Sequence, residues 1–436
     1  MDWSKIPDVL AITCLACAFY SILRRDPTPG HRLWLVGWTL IAIHFFGFIF
    51  LNLPGAEGRA GLVVGMLSLV AAAIFFMWAT VPQQSVVSSR RMATLALMST
   101  LLYTGLSCFE HTPSWAFDIA AMFITSGPLT VGLYYRRYRQ HTLRWITVGL
   151  HTALGLGLLA YGRFSSGFPE FGLSAILATV YFECCVYFWY THRKRSAGSI
   201  VTVAGFLAWA SVFPLAPFVS RTFATLHLEN EVWNLPKYVV AVGMLLLLLE
   251  RQIERSQYLA LHDDLTSLAN RRLFQDRLNS AIERARRSGT SMALMQIDLD
   301  RFKEVNDAHG HYVGDLLLQH VSRVFDARVR RSDTVARTGG DEFSVILEEP
   351  ASRRDAEGVA DSLLHLLSEP VQLAGTWIRT DASIGIAVFP EDAENPDSLC
   401  IAADMQMYQI KGHHRDKVGD MSERSPMQRE SHTLAS

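Results

Sequence analysis

Acidic side chains that close apolar, strand-like runs are the residues best suited to chemistry in this sequence. Met292-Ala-Leu-Met-Gln-Ile-Asp298 ends in a carboxylate and is followed by Asp300, while Gly339-Gly340-Asp341-Glu342 interrupts two β-rich runs as a hairpin turn would. Carboxylates at a strand end and in a turn are hard oxygen ligands for Mg²⁺, an ion that typically bridges protein carboxylates to substrate phosphates. Adjacent glycines let the backbone approach a bulky ligand where a Cβ would collide. Lys303 adds a cation for phosphate, and Asn306 with Asp315 adds groups able to hydrogen-bond the edge of a base. Taken alone, a Gly-Gly-Asp turn is ordinarily only a turn; the set as a whole carries the signal.

Strands and amphipathic helices must position these groups. Strand-like runs cover 292–298, 334–337, 343–347 and 382–388, and helical periodicity marks 270–287, 314–330, 354–368 and 396–411. Their alternation predicts an α/β domain over 263–418.

The rest of the chain is of another kind. Half of the 436 residues are hydrophobic and 19% are charged, too apolar for one soluble domain and too charged for a membrane protein throughout, so two unlike regions are being averaged. Nine apolar runs approach the roughly 17 to 25 residues needed to cross a bilayer. They cover 7–23, 33–53, 61–81, 93–109, 115–135, 145–162, 171–190, 199–219 and 235–250, the fourth and last being short. Twelve Lys and Arg residues fall in one alternating set of loops (Arg24, Arg25, Arg32; Arg90, Arg91; Arg136, Arg137, Arg139, Arg144; Arg193, Lys194, Arg195) and five in the other (Lys5, Arg59, Arg163, Arg221, Lys237). Positive charge collects on the cytoplasmic side, so the N-terminus is expected outside and everything after Glu250 in the cytoplasm. Arg24-Arg25 follows the first run directly, and further runs succeed it, so the first run is read as a span and not as a signal peptide. The expected fold class is multi-domain. An N-terminal all-α polytopic membrane bundle of about nine helices occupies 1–250, a helical connector 251–262, the α/β domain 263–418 and a disordered tail 419–436.

Ionisable groups within spans are costly and therefore candidates for function. His44, Asp118, His151 and Glu183 are such groups. A ligand or metal pocket built from His44, His151 and Glu183 is one reading and plain interhelical hydrogen bonding is the other. Cys14-x-x-Cys17 has a redox or metal spacing, or is simply two small buried residues. Six scattered cysteines make no disulfide framework, and a net charge of −1 argues for no nucleic-acid partner. In the connector, Leu249, Ile253 and Ala260 form a seam of one or two heptads, enough for a short dimerisation helix or for a spacer.

Residues 260–418 resemble the diguanylate cyclase (GGDEF) family. Asp264-Leu-Thr-Ser-Leu-Ala-Asn-Arg-Arg272 is similar to its D-x-L-T-x-L-x-N-R-R opening, and Asp298-Leu-Asp-Arg-Phe-Lys-Glu-Val-Asn-Asp307 to D-x-D-x-F-K-x-x-N-D. Gly310-His-Tyr-Val-Gly-Asp315 follows at the family distance, and Arg337-Thr-Gly-Gly-Asp-Glu-Phe343 carries the signature intact. The resemblance implies a fold similar to nucleotide cyclase and polymerase palm domains, with a mostly antiparallel sheet. It implies condensation of two GTP molecules to cyclic di-GMP with release of two pyrophosphates, using Mg²⁺ or Mn²⁺. The metal would be held by Asp298, the Leu299 carbonyl, Asp341 and Glu342, with Asp341 and Lys303 catalytic. Substrate would be held by Asn306, Asp315, Gly339, Gly340, Glu342, Lys411 and Arg415. Each half-site takes one GTP, so a homodimer is implied, and a bacterial cytoplasmic (inner) membrane follows from the same likeness.

Three positions depart from the family pattern: Gln406 stands for a small Ala, and His414 and Asp416 for Gly and Asn. Arg330-Arg-Ser-Asp333 fits R-x-x-D, separated from Gly339 by the five residues Thr334 to Thr338, the mark of the family's inhibitory cyclic di-GMP site, with a charged helix end as the plainer reading. No phosphodiesterase-like module is read after Val418, so the chain is expected to make the messenger without degrading it.

Overall fold

A segment that must satisfy its own backbone in lipid folds as helix, and the described residues of the apolar half are mostly helical. The computed structural model describes residues 1–24, 29–80, 86–109, 112–134, 141–164, 169–192, 195–223, 230–348 and 352–423. The chain divides into two compact units, Met1–Gln252 and Ile253–Ser436.

Among the described residues nine α-helices begin in the first unit: α1 (Ile6–Leu23), α2 (Pro29–Ile49), α3 (Ala56–Thr80), α4 (Val86–Ser107), α5 (Ser114–Tyr134), α6 (His141–Phe164), α7 (Pro169–Thr191), α8 (Ala197–Thr222) and α9 (Asn230–Leu261). Among the described residues six helices are long and apolar enough to cross a membrane: Trp3–Leu23, Gly30–Ile49, Ala56–Thr80, Phe171–Thr191, Ala197–Thr222 and Val232–Leu261. Of the nine expected spans, six are thus matched by described helices of sufficient length and apolarity. Arg90, Arg91 and Arg144 lie inside α4 and α6 instead of in loops, which shortens the apolar part of each helix; that of α6 is reduced to Trp145–Tyr161.

Close approach holds α2 to α3: a Cβ on Gly47 would stand 2.8 Å from the Gly61 carbonyl oxygen and 2.9 Å from Gly65 N. Stacked aromatic rings join α7 to α8, with Tyr181 and Trp209 centroids 4.0 Å apart. His151 Nδ1 and Glu183 Oε1 meet at 3.0 Å between α6 and α7, whereas His44 Nδ1 pairs with the Gly65 carbonyl at 2.9 Å. The three candidate residues thus divide between two places. Asp118 is half-buried on α5, and Cys14 and Cys17 are exposed on α1 rather than buried. Lys237, expected in a loop, lies within α9: its Nζ donates to Asn234 Oδ1 at 2.7 Å, and Asp8 accepts from Asn234 Nδ2 at 2.9 Å and Tyr238 OH at 2.6 Å.

In the second unit α10 (Arg271–Ser288) starts at Asn270, whose Oδ1 accepts from Arg272 N and Leu273 N, and stops at Gly289, where φ is +68°. β1 (Met292–Asp300), α11 (Phe302–His309), α12 (His311–Arg328), β2 (Thr334–Arg337), β3 (Glu342–Glu348), α13 (Arg353–Ser368), β4 (Val371–Leu373), β5 (Thr376–Ile378), β6 (Asp381–Phe389) and α14 (Pro396–Glu423) follow. The sequence pattern misses α11 and the β4–β5 hairpin, both too short to display a period. α14 also runs five residues into the tail expected to be disordered; residues 424–436 lie outside the described residues.

The main sheet has the order β2-β3-β1-β6 and every pairing is antiparallel. Strand alternation splits β1 between two cores. Ala293, Met295, Ile297 and Leu299 pack with α12 and α13, and Met292 and Leu294 pack with α10 and α14. On the second face the series continues as Gln296, Asp298 and Asp300, so one period aims both acids toward the α14 side. β6 is an edge strand, and α14 covers it. Gly385 admits the helix backbone at Ala403 and Met407, and the Ile386 N–H donates to Gln406 Oε1. The departure at Gln406 therefore caps a sheet edge. Gln406→Ala should lower stability by about 1 kcal/mol, read as a lower melting midpoint of the second unit in detergent-solubilised protein; an unchanged midpoint would show that the cap contributes nothing.

Candidate active site

Pairing of β1 with β3 brings the two acidic segments together. Asp298 is the register partner of Glu342, and Leu299 N donates to the Asp341 carbonyl at 3.2 Å. In an antiparallel ladder this turns the Leu299 carbonyl toward the same hairpin. The turn closes through Thr338 N to the Glu342 carbonyl at 3.0 Å. On the other side of β1, Ser383 Oγ donates to Asp300 Oδ1 at 2.9 Å. Asp298 is buried, and its Oδ1 accepts from Lys411 Nζ of α14 at 2.5 Å. Burial raises the Asp298 carboxyl above its ordinary value; the Lys411 bond and charge oppose the rise, and Asp341 and Asp300 add to it.

The donor set is that of a hard divalent cation: three carboxylates and a carbonyl at adjacent strand ends. By chemistry these residues fit such an ion. Among the described residues, however, no three His, Cys, Asp or Glu side chains converge closely enough to hold one as they stand, and Lys411 is on Asp298.

The remaining expected residues surround this point. Gly339 lies under the Glu342 side chain, while a Cβ on Gly340 would meet nothing within 4 Å. Neither glycine has a positive φ, so the turn geometry does not demand them. Asn306, on α11, has a buried Oδ1 without a hydrogen-bond partner. Gly314 of α12 is pressed against that oxygen and admits no Cβ there. Gly310, where φ is +82°, makes the sharp turn that sets α11 beside α12. Lys303 and Asp315 are exposed on α11 and α12, and the side chain of Arg415 lies outside the described residues. Arg330 is exposed; Asp333 accepts from Arg330 N at 2.8 Å and Glu348 N at 3.1 Å, so both its oxygens staple the turn before β2.

A second layer was not legible as such. Arg337 donates through Nη1 to Asp263 Oδ1 at 3.0 Å, and through Nε and Nη2 to the Gly340 carbonyl at 3.1 and 2.8 Å. Asp263 also accepts from Thr266 N and Oγ1 at 2.9 and 2.7 Å. The acid is the first position of the D-x-L-T pattern, since Leu265 stands two residues after Asp263 and one after Asp264; both residues lie at the quoted motifs, but spacing alone does not reveal that they meet.

Burial raises the Asp263 carboxyl, but the Thr266 and Arg337 bonds outweigh it and hold it below the usual range. Asp263→Ala should cost about 2 kcal/mol at neutral pH. Because the folded value is depressed, that contribution is complete above the ordinary value of 3.8 and disappears as pH falls through the folded one. Melting midpoints of the parent and variant should differ at pH 7, draw together as pH falls below 3.8 and converge only below the depressed folded value; equal midpoints at pH 7 would remove the clamp.

Residues 260–417 match the family described as Diguanylate cyclase, GGDEF domain. The bifunctional diguanylate cyclase/cyclic di-GMP phosphodiesterase MucR of Pseudomonas aeruginosa is 31% identical over 406 residues, which are 88% of this chain and 55% of MucR. The diguanylate cyclase TpbB of the same organism is 43% identical over 155 residues, 35% of this chain and 36% of TpbB. A solved structure of the TpbB GGDEF domain alone, 43% identical, covers 35% of this chain and 89% of its own with a TM-score of 0.34. The chain thus spans 55% and 36% of the lengths of these two relatives. Residues 260–417 thus carry a GGDEF domain.

Proposed function

We propose that the chain is an integral-membrane diguanylate cyclase that condenses two GTP to cyclic di-GMP with release of two pyrophosphates. The observation that carries this reading is the register of Asp298 with Glu342, which joins the intact Gly339-Gly340-Asp341-Glu342 turn to the acidic end of β1. Bound at Asp298, the Leu299 carbonyl, Asp341 and Glu342, Mg²⁺ (or Mn²⁺) would stabilise charge on the phosphates and on the attacking hydroxyl.

The chain's own groups account for the rest. Guanine presents N–H donors where adenine presents an acceptor, so the unpartnered Asn306 Oδ1 and the Asp315 carboxylate select guanine. Lys303, Lys411 and Arg415 steady the phosphates. The open face of Gly340 leaves room for the nucleotide against the turn. Asp341 accepts the 3′-hydroxyl proton as the 3′-oxygen bonds to the α-phosphorus of the facing GTP and pyrophosphate departs. The same step repeated closes the ring. Each domain holds one GTP, so two copies of the chain are required.

Six long apolar helices support membrane integration. The distribution of Lys and Arg supports an outer N-terminus and a cytoplasmic GGDEF domain in a bacterial cytoplasmic membrane. That orientation needs an odd number of crossings, so in this reading an odd number of α4, α5 and α6 also cross. The apolar half is the sensor. Cyclic di-GMP binds back through the Arg330 guanidinium, Asp333 being the turn's staple.

Purified full-length protein given GTP and Mg²⁺ should form cyclic di-GMP and two pyrophosphates per product, and Asp341→Ala should reduce the rate at least about 100-fold. GTP binding without product in the parent would reassign the chain to a nucleotide receptor. Arg330→Ala should leave the initial rate intact and abolish inhibition by added cyclic di-GMP; undiminished inhibition would exclude that site.

A further inference from the structure

Lys411 is expected at phosphates, yet its ammonium is committed elsewhere, bonded to Asp298 Oδ1 at 2.5 Å. This is not an ordinary surface ion pair. The Lys411 side chain is 25% exposed and that of Asp298 11%, so water screens the contact weakly. α14 is anchored just before Lys411, by the close approach at Gly385 and the Gln406 bond to Ile386 N, so the backbone sets the reach of the lysine toward β1. Asp341 and Asp300 direct like charge at Asp298, which strengthens its demand for a cation. Lys303, the other lysine expected at phosphates, is exposed on α11.

A divalent ion such as Mg²⁺ sits about 2.1 Å from a ligating oxygen. It therefore cannot share Oδ1 with an ammonium already bonded to it without like-charge repulsion at close range. The geometry points to Lys411 as a gate on metal binding: its ammonium holds Asp298, and the ion takes that oxygen only when the ammonium can move to the phosphates of an incoming nucleoside triphosphate. The gate rests on the cyclase reading of this site and deepens it. Metal and nucleotide then load together, and the acids stay closed to free divalent cations. The two roles of Lys411, on carboxylate and on phosphate, are successive.

The test is Mn²⁺ binding to detergent-solubilised full-length protein without nucleotide, read by electron paramagnetic resonance. Lys411→Met should bind Mn²⁺ about tenfold more tightly than the parent, a change on the scale of one charge-assisted hydrogen bond. The same variant should bind a non-hydrolysable GTP analogue more weakly in the presence of Mn²⁺, a reversal of sign that general damage to the site does not produce. Lys411→Gln should behave likewise and serves if the methionine variant does not fold; Lys411→Arg should retain weak Mn²⁺ binding. In an Asp298→Asn background the substitution at Lys411 should leave Mn²⁺ affinity unchanged. Unchanged or weaker Mn²⁺ binding by both neutral variants would overturn the gate, as would tightening that persists without the Asp298 carboxylate. Nucleotide-free Mn²⁺ binding is read apart from product formation, so failure of the gate and failure of the cyclase reading are distinguishable.

Discussion

A carboxylate at the end of a strand buried on both faces is the constraint around which the second unit is organised. Asp298 shares a face with Met292 and Leu294, which lie in an apolar core, and burial there makes its charge costly. Removing the strand from water is what makes its position exact enough for chemistry; leaving the acid unpaired would destabilise the same strand. Lys411 resolves the conflict from α14, a helix that must come close to the sheet to reach it. Gly385 and Gln406 are the features that let it come close and keep it there.

The signature turn is held by a separate set of bonds that starts at the end of α9. Asn270 donates from its backbone to the Leu261 carbonyl at 2.9 Å and from Nδ2 to the Ala260 carbonyl at 2.9 Å. Arg337 N donates to the Ala269 carbonyl, and the guanidinium bridges Asp263 to Gly340. A displacement at the end of α9 therefore has a short covalent and hydrogen-bonded route to the Gly340 carbonyl. The bidentate fork of arginine suits this task because one planar group fixes two partners in one geometry.

Polar groups of the apolar half obey a different rule. With little water to satisfy them, they find each other across helices: His151 with Glu183, Asp8 with Asn234 and Tyr238, His44 with a carbonyl. Asp8, Asn234 and Lys237 sit near the ends of apolar runs and look in sequence like interfacial residues. Only the packing of α1 against α9 makes them a cluster.

Local sequence was enough to mark the longer elements of the second unit and to point to the chemistry. The four strands of the main sheet and the helices α10, α12, α13 and α14 announce themselves by period, because each has one face or both in a core. The acids, the glycine turn and Asn306 are recognisable because their types and spacing match motifs of the GGDEF family. Tertiary structure decided what lies far apart in the chain. The pairing of Lys411 with Asp298 spans 113 positions and that of Arg337 with Asp263 spans 74. No local pattern encodes them. Whether Arg90, Arg91 and Arg144 lie in loops or helices was also settled there, since a helix continues past the end of an apolar run wherever its own hydrogen bonds and neighbours favour it.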